Sequence, residues 1–445
     1  MASQPNIAER GMAFGLKALN RVASSDAIDR LGLRDPAVRL LHGASKTTGR
    51  TAARAGRTFA AAQRLARPAR QSTARPSDLF DLTPDDEQQM LRDSTREFAL
   101  ARIRSVAGEA DEQCAAPPEL LGQANELGLT MIGVPEELGG AVVQRSAATT
   151  VLMSEALAQG DMGIAVACLA PAAVSTAISL WGDAQQQATY LPEFVGENVP
   201  AAALAVMEPR PLFNPFALET EARPAKGGYV LDGVKALVPR AGDSELFIVA
   251  AELETNGSAQ PALFIVESKT KGLSVEPEPA MGVRAAATGR LILEQVQLPA
   301  TALLGGAEHT TYADCIQLGR LAWCAVALGT GQAVLDYVSG YVKDRRAFGE
   351  PVSTRQAVAF TVANMAIELE SLRLTTYRAA GRVDQGLGFA REVALARRLC
   401  TDKGMAIGSD GVQMLGGHGY VKEHPVERWY RDLRAAGLME GALLV

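Results

Sequence analysis

The hydrophobic and polar positions of this 445-residue chain change their spacing twice along its length. From residue 83 to about 200 the apolar positions recur every three or four residues, which predicts helices, with loops at 116–118 and 133–140. Between 201 and 300 short apolar runs separated by Gly and Pro predict a small β domain, either a barrel or a sandwich. The helical spacing returns from about 305. The pattern therefore predicts an α+β fold with a β domain between two helical domains.

Local signals within these stretches predict individual elements. The run Thr83-Pro84-Asp85-Asp86-Glu87 predicts the start of a helix, with Thr83 as its N-cap and Pro84 at the first helical position. The Asp232-Gly233 pair predicts a hairpin turn in the β domain. Further β-type runs follow at 246–251, 262–266 and 291–298.

An apolar repeat marks the last helical stretch. Val358, Met365 and Leu372 lie seven residues apart, and Val362 and Leu369 each fall four residues after one of them. This spacing places the five side chains on one face of a helix. We therefore expect a helix bundle or a helix-mediated oligomer in this part of the chain.

The stretch Met162–Gly182 contains 21 residues without a charge, which is long enough to cross a bilayer. It is rich in Ala and Ser, Pro171 lies near its middle, and Asp161 and Asp183 flank it where a membrane span would have basic anchors. We therefore expect a pair of buried helices broken at Pro171.

Charge is distributed unevenly along the chain. Residues 1–78 contain 14 Lys and Arg against five Asp and Glu, although the whole chain has a formal net charge of −6. Arginines recur at helical spacing between 51 and 70, and 71–77 has the Ser, Thr and Pro content of a linker. This basic helical arm is either a solvated tail or surface helix pair, or a segment whose residues 1–70 contact an anionic membrane or an acidic partner.

Composition excludes several classes of function. The body that follows the arm is acidic, so we expect no nucleic-acid binding. The five cysteines are widely spaced and the four histidines form no HExxH motif or close cluster, so we expect neither a disulfide framework nor a metal site. The first 25 residues lack the apolar core of a secretory signal. We therefore expect a cytoplasmic protein, with peripheral membrane contact through the arm as an alternative.

The patterns divide the chain into a basic helical extension and linker at 1–78, an N-terminal helical domain at 79–200, a middle β domain at 201–303 and a C-terminal helical bundle at 304–445. The last segment contains Gln413-Met414-Leu415-Gly416-Gly417-His418-Gly419-Tyr420, followed by Glu423, Arg428 and Asp432. This gapped pattern and the α, β, α order resemble the acyl-CoA dehydrogenase family over about residues 79–445. The resemblance implies a helical N-terminal domain, a small middle β-barrel domain and a C-terminal helix bundle, here preceded by the extra arm.

Other stretches resemble the family in order and position, among them 134–140, 190–192, 281–284, 296–299 and 303–305. Asp344-Arg345-Arg346-Ala347-Phe348-Gly349 resembles the family's Arg-x-x-Phe-Gly segment, whose Arg contacts the FAD pyrophosphate of a neighbouring subunit. The resemblance implies FAD as the cofactor. The residues it implies for cofactor binding are Val206, Met207, Glu208, Leu237, Pro239, Arg345, Phe348, Gln356, Gln413, Gly416 and Gly417.

Glu440 is the catalytic candidate. It is the only carboxylate side chain after Asp432, and it falls at the family's Glu-Gly catalytic position. Its neighbours are apolar, so we expect it to be desolvated, as suits a general base for a weakly acidic C–H. The resemblance implies that Glu440 takes the α-proton of a fatty acyl-CoA while the β-hydride passes to flavin N5, giving a trans-2-enoyl-CoA. The substrate-binding residues that it implies are Phe213, Gln317, Arg320 and Gly441.

Several family positions hold other residues in this chain. The family's Thr-Glu-Pro-Gly-x-Gly-Ser-Asp is Met207–Asn214 here, so Met207 and Phe213 replace hydroxyl side chains. Leu237-Val238-Pro239 stands at the family's Trp-x-Thr, and Gln317 replaces the Asp of Asp-x-x-Arg. Each loss removes about 1 kcal/mol of net hydrogen bonding. Because FAD makes many contacts, we still expect it to bind.

Two classes of function remain open. The first is an FAD-dependent acyl-CoA dehydrogenase of fatty acid β-oxidation, for which the resemblance implies an electron-transfer flavoprotein as electron acceptor. The second is a non-catalytic or partner subunit of a mixed acyl-CoA dehydrogenase-like oligomer, and relatives also use the fold for other flavin chemistry. The resemblance further implies a homodimer or homotetramer formed through the C-terminal helices, in which Arg345 and Gln413 would serve different active sites.

Overall fold

The computed structural model describes residues 82–140, 145–196, 198–255, 258–306 and 309–445. The basic arm predicted at 1–78 lies outside these residues. The first helical part contains α1 (Asp86–Phe98), a π-helical turn (Ala99–Ile103), α2 (Arg104–Gln113), α3 (Pro118–Glu126), α4 (Ala147–Ala158), α5 (Met162–Trp181) and α6 (Ala184–Tyr190).

Helix α1 begins two residues later than predicted. Asp85, and not Thr83, is the N-cap: its side chain accepts a hydrogen bond from the Gln88 N–H at 2.8 Å. The Gln88 side chain in turn accepts from the Asp85 N–H at 3.1 Å. This capping box satisfies the backbone N–H groups of Asp85 and Gln88, which favours the later start.

Helix α5 runs unbroken through Pro171, so the predicted pair of helices broken at that residue is wrong. The ring removes only the bond that residue 171 would donate to the Ala167 carbonyl. Every residue from Met162 to Ile178 is buried, and this packing holds the helix together. The predicted burial is confirmed.

Within the part of the chain that the structure describes, two helices are apolar and long enough to cross a membrane, namely Met162–Trp181 and Thr310–Asp344. The most apolar 18-residue windows of these helices are 89% and 78% buried inside the protein. Burial of this extent is typical of core helices in a soluble domain.

The middle part is one eight-stranded sheet with the hydrogen-bonded order β6-β7-β3-β2-β4-β5-β8, and β1 pairs with β4. Its strands are β1 (Ala202–Ala205), β2 (Glu221–Ala225), β3 (Gly228–Val238), β4 (Leu246–Thr255), β5 (Ser258–Glu267), β6 (Leu273–Pro277), β7 (Gly289–Pro299) and β8 (Leu303–Leu304). The three predicted β runs are confirmed as parts of β4, β5 and β7.

The Asp232-Gly233 pair does not form the predicted hairpin turn. It lies inside β3, where the register against β7 shifts between Leu231 and Gly233. The turn between β2 and β3 falls instead at 226–227. Gly233 has φ +150°, and an added Cβ would approach the Thr220 Cα to 2.7 Å. The glycine therefore allows the backbone at Thr220 to pack closely against β3.

Strand β4 contributes to two hydrophobic cores because its neighbouring side chains point to opposite faces. Phe247, Val249 and Leu253 belong to the core of the β domain. Leu246 and Ile248 pack instead in the large core shared with the helices. This two-sided burial joins the sheet to the helical domains and holds the end of the adjacent β1 close to them.

The C-terminal part is a helical bundle. It contains α7 (His309–Asp344), the short strands β9 (Arg346–Ala347) and β10 (Glu350–Pro351), α8 (Gln356–Asp384), α9 (Ala390–Leu415), α10 (Val426–Leu433) and α11 (Ala435–Leu438). Met365, Leu369 and Leu372 of α8 are buried, and Val358 and Val362 pack partly buried against the same core. The bundle expected from this repeat is confirmed.

Candidate active site

The loop that follows α11 carries Glu440 and is held by backbone contacts on two sides. The indole Nε1 of Trp323, on α7, donates to the Gly441 carbonyl at 2.8 Å. The Ala442 N–H donates to the Leu204 carbonyl of β1 at 3.2 Å. Gly441 has φ +69°, and an added Cβ would lie 2.5 Å from Val206 Cγ2. Glycine is therefore required where this loop passes the end of β1.

The Glu440 carboxylate is buried, with 8% of the residue exposed, and two arginines bind it. Arg320 of α7 donates from Nε to both carboxylate oxygens at 3.0 and 2.9 Å, and from Nη2 to Oε1 at 2.8 Å. Arg397 of α9 donates from Nη2 to Oε1 at 3.3 Å. The burial agrees with the expected desolvation, and residues from two helices that are distant in sequence converge on this carboxylate. Their guanidinium groups offset the cost of burying it.

Two polar groups near this ion pair remain unsatisfied among the described residues. Gln317 Oε1 lies one helical turn before Arg320 and is buried without a hydrogen-bond partner, and so is Arg397 Nη1. A buried polar atom without a partner is destabilising by about 1–3 kcal/mol. Such atoms are therefore candidates for contact with a bound molecule.

The segment that follows β1 carries three of the residues expected at the flavin. Val206 and Met207 are buried. Glu208 Oε1 accepts from the Thr220 N–H at 2.8 Å and from Lys235 Nζ at 2.9 Å. Burial lowers the pKa of Lys235 to about 8, against the opposing effect of Glu208. This buried pair fixes the backbone at 206–208, since Lys235 Nζ also donates to the Val206 carbonyl at 3.2 Å.

A cavity of about 520 Å³ lies between the β domain and the C-terminal helices. Leu237, Val283, Met405, Leu438 and Met439 are among its lining residues. The Leu237 N–H donates to Glu278 Oε2 at 2.7 Å, so this backbone donor already has a partner. The cavity therefore presents mainly apolar side chains, next to the loop that carries Glu440.

A second cavity, of about 610 Å³, is lined by Arg345, Gln413, Gly416 and Gly417, together with Tyr341 and His418. The expectation that Arg345 and Gln413 serve different active sites is wrong, because one chain brings both to one cavity. Gln356 is exposed, and Phe348 lies outside this cavity with 94% of its surface exposed. The arginine fork and glycine backbone suit a diphosphate.

Phe213 lies in the loop that replaces the family's glycine-rich segment. It is half-buried, and the Arg210 guanidinium stacks 5.4 Å from its ring centroid. The same loop brings Phe216 to within 5.9 Å of the Arg320 guanidinium. The loop therefore reaches the Glu440 site through Phe216.

Arg428 and Asp432, which the sequence pattern singled out, hold the three domains together. Arg428 Nε donates to Asp161 Oδ2 at 2.9 Å, at the start of α5. Asp432 Oδ1 accepts from the Val283 N–H of the β domain at 2.6 Å. Burial is the main cause that raises the pKa of Asp432 to about 8, and the nearby Asp161 adds to it. These two residues position α10, and through it the Glu440 loop.

Sequence reasoning missed Arg397, Trp323 and Glu278, because each acts through a contact that no local pattern encodes.

The sequence analysis also expected no close histidines, whereas the rings of His418 and His424 lie 5.5 Å apart between centroids. Within the described residues, no three His, Cys, Asp or Glu side chains form a group that could hold a metal ion.

Comparison with known proteins assigns the family. The acyl-CoA dehydrogenase N-terminal domain matches residues 85–198, the middle domain 203–296 and the C-terminal domain 310–443. The mitochondrial short-chain specific acyl-CoA dehydrogenase of Mus musculus is 32% identical over 366 residues, covering 80% of this chain and 87% of its own. The 3-(aryl)acrylate reductase of Clostridium sporogenes is 32% identical over 361 residues, covering 80% and 95%.

Among solved structures, butyryl-CoA dehydrogenase from Megasphaera elsdenii superposes with a TM-score of 0.76 and 28% identity. The match covers 81% of this chain and 96% of that one. The chain therefore belongs to the acyl-CoA dehydrogenase family, whose members are FAD-dependent oxidoreductases. The family, the fold class and the FAD cofactor expected from the sequence are confirmed.

The residues of this chain fit the diphosphate of FAD better than its flavin ring. Arg345 and the Gly416-Gly417 backbone would hold its diphosphate, and an added Cβ at either glycine would extend into open space. Leu237 and Met439 offer apolar walls to the ring, where Pro239 lacks the donor that the family has. The diphosphate contacts fit, and the ring would be held mainly by packing.

Proposed function

We propose that this protein is an FAD-dependent acyl-CoA dehydrogenase that converts a fatty acyl-CoA to a trans-2-enoyl-CoA. The observation that carries the proposal is Glu440, a buried carboxylate on a loop held between α7 and β1. The loop also borders the apolar cavity, through Met439. A carboxylate in this position is suited to remove a proton from a bound thioester.

Glu440 takes the α-proton of the substrate in the proposed reaction. FAD, when bound, supplies the acceptor for the hydride that leaves the β-carbon, so the substrate loses one proton and one hydride. Negative charge develops on the thioester oxygen, and the Glu440 N–H is the backbone donor proposed to stabilise it. Since Arg320 occupies both carboxylate oxygens, those bonds must open before the carboxylate reaches the substrate.

Arg320, Gln317, Phe213 and Gly441 are the residues proposed to contact the substrate. Gln317 and Arg320 lie one turn apart on α7, and Gln317 Oε1 is a buried acceptor without a partner among the described residues. Phe213 belongs to the loop that reaches Arg320 through Phe216. Gly441 packs against Val206, beside the segment proposed to contact the flavin.

Replacing Glu440 with Gln tests the proposal. FAD-loaded protein is mixed anaerobically with acyl-CoAs of four to eighteen carbons while the flavin absorbance is recorded. The wild-type flavin should bleach, and Glu440→Gln should lower that rate by about 10²–10⁴-fold. Glu254→Gln, which changes an exposed carboxylate of β4, is the matched control and should bleach like the wild type. Equal bleaching in Glu440→Gln would exclude Glu440 as the base.

A second candidate function is a non-catalytic partner subunit. It is favoured by the two arginines that bind the Glu440 carboxylate and by the absence of hydroxyls at Met207 and Pro239. The same titration separates the two functions. A wild-type flavin that no acyl-CoA bleaches, in a protein that copurifies with another family member, would favour the partner role.

A homodimer or homotetramer formed through the C-terminal helices is part of the proposal. Phe360, Ile367 and Leu374 lie seven residues apart on α8 and are 59%, 63% and 51% exposed. Three large apolar side chains exposed on one face of a helix favour a contact with another chain. Light scattering should give a mass of two or four chains, and Ile367→Glu should lower it. A monomeric wild type would refute this part.

The electron acceptor proposed for this enzyme follows its family resemblance, and the proposed location follows the composition of the chain. An electron-transfer flavoprotein is the proposed electron acceptor, and its reduction by acyl-CoA plus enzyme is the assay. We also propose a cytoplasmic location with membrane contact through residues 1–70, which lie outside the described residues. Cosedimentation with anionic liposomes should fall when the chain begins at Ser77, and equal sedimentation would remove the arm from the proposal.

A further inference from the structure

Arg397 contacts the loop of Glu440 in a different way from Arg320. It lies on α9, and its side chain is 12% exposed. Its Nη2 donates to the Met439 carbonyl at 2.8 Å and to Glu440 Oε1 at 3.3 Å. The shorter and better bond is therefore made to the backbone, and the contact with the carboxylate is secondary.

Arg320, by contrast, binds only the carboxylate of this loop among the described residues. Its three bonds to Glu440 range from 2.8 to 3.0 Å. These bonds must open for proton transfer, since Nε occupies both oxygens. The bond from Arg397 to the Met439 carbonyl does not involve the carboxylate, so opening the bonds to Arg320 does not require breaking it.

The loop is thus anchored on both sides of Glu440. Trp323 binds the Gly441 carbonyl and the Ala442 N–H binds Leu204 on the C-terminal side. On the N-terminal side, Arg397 is the side chain that binds the Met439 carbonyl within the described residues. Anchors on both sides fix the backbone at Glu440 independently of the bonds that its carboxylate makes.

Stability alone does not account for an arginine at position 397. Its Nη1 is buried without a partner in the described part of the chain. A second cation beside a single carboxylate also leaves positive charge that the carboxylate does not balance. An apolar side chain of similar length would avoid both penalties but would lose the bond to the Met439 carbonyl, so that bond to the loop is what the arginine provides.

We propose that Arg397 is a positioning residue that fixes the backbone at Met439–Glu440. The Glu440 carboxylate can then leave Arg320 and contact the substrate while the backbone of the loop stays in position. This inference rests on the proposed function, because it assigns Arg397 to the reaction that Glu440 would catalyse. Arg397 acts through the loop and does not itself touch the reacting atoms.

Three variants test the role. Arg397→Gln removes the charge and the reach to the Met439 carbonyl, whereas Arg397→Lys keeps a donor that can make this bond. Arg398→Gln is the matched control, because Arg398 is the next residue on α9, its side chain is 78% exposed and it pairs with Asp402. Hydrogen exchange of peptides covering 435–445 reports the order of the loop without any turnover.

The expected result has a structural and a kinetic part. Arg397→Gln should speed exchange in 435–445, with exchange elsewhere on α9 and the FAD content unchanged. It should lower kcat for flavin-dependent oxidation by about 100-fold, as expected for a misplaced catalytic group, and leave KM within about threefold. Arg397→Lys should recover most of this loss, and Arg398→Gln should behave as the wild type.

Two results would overturn the inference. Unchanged exchange in Arg397→Gln would show that the residue does not hold the loop. Faster exchange along the whole of α9 with loss of FAD would show a general structural role. A wild type without acyl-CoA oxidation would refute the proposed function instead, while the exchange experiment would still decide whether Arg397 holds the loop.

Discussion

Asp432 makes the stability of this protein depend on pH, because its carboxyl is buried at the junction of the three domains. It is 1% exposed and accepts the Val283 N–H at 2.6 Å. Burial and the nearby Asp161 raise the pKa of Asp432 to about 8, so the folded protein keeps its proton at neutral pH. Asp432→Asn should mimic this protonated carboxyl and retain the acceptor for Val283.

The sign of the effect follows from proton linkage. An unfolded Asp has a pKa of about 3.9, so between this value and about 8 the folded state binds more protons than the unfolded state. The stabilisation is fully present below pH 4 and is lost as the pH rises through 8. A difference of about four pKa units at ~1.4 kcal/mol each corresponds to roughly 6 kcal/mol across this window.

Urea denaturation of the wild type and of Asp432→Asn at several pH values between 5 and 9 measures this loss. The free energy of unfolding of the variant, minus that of the wild type, should increase with pH by several kcal/mol and level off above about 8. Asp402→Asn, at an exposed aspartate of α9, is the control and should parallel the wild type. Parallel profiles for Asp432→Asn and the wild type would refute the reasoning.

Three further substitutions test other parts of the site. Gly441→Ala places a Cβ 2.5 Å from Val206 Cγ2 at φ +69°, and should lower stability by about 1–3 kcal/mol in thermal unfolding and abolish flavin bleaching by acyl-CoA. Lys235→Met leaves Arg210, whose Nε lies 3.6 Å from Glu208 Oε2, as the cation that still pairs with the buried Glu208, and should lower the urea-derived stability by about 3 kcal/mol, more than the double variant with Glu208→Gln. Pro239→Thr restores a hydroxyl and an N–H. It should lower the Kd for FAD about fivefold in a fluorescence titration, which corresponds to a gain of about 1 kcal/mol in binding free energy.

The order of the domains could be predicted because the spacing of apolar residues along the chain differs between helices and strands. Helical spacing and short β runs are properties of neighbouring residues, and the repeat at Val358, Met365 and Leu372 indicated the buried face of α8 correctly. The errors arose where a local signal was overruled by packing. Pro171 did not end α5, and Asp232-Gly233 formed an irregular position inside β3 instead of a turn.

The candidate site was only partly predictable for the same reason. Glu440, Arg320 and the 413–417 segment could be identified by their spacing and their resemblance to the family. Arg397 and Trp323 could not, because they reach the Glu440 loop across more than 40 and 110 residues of sequence. The local sequence around Arg397 gives no sign of this contact.

The sequence by itself determined the helical and β segments, the uneven charge, the family and the identity of the buried acid, since these depend on residue type and on short-range spacing. Only the tertiary structure decided that Glu440 is bound by two arginines, that Arg345 and Gln413 share one cavity, and that Asp432 is buried at the junction of the domains. The physical reason is that electrostatic energy depends on distance and burial, which arise when remote segments pack together.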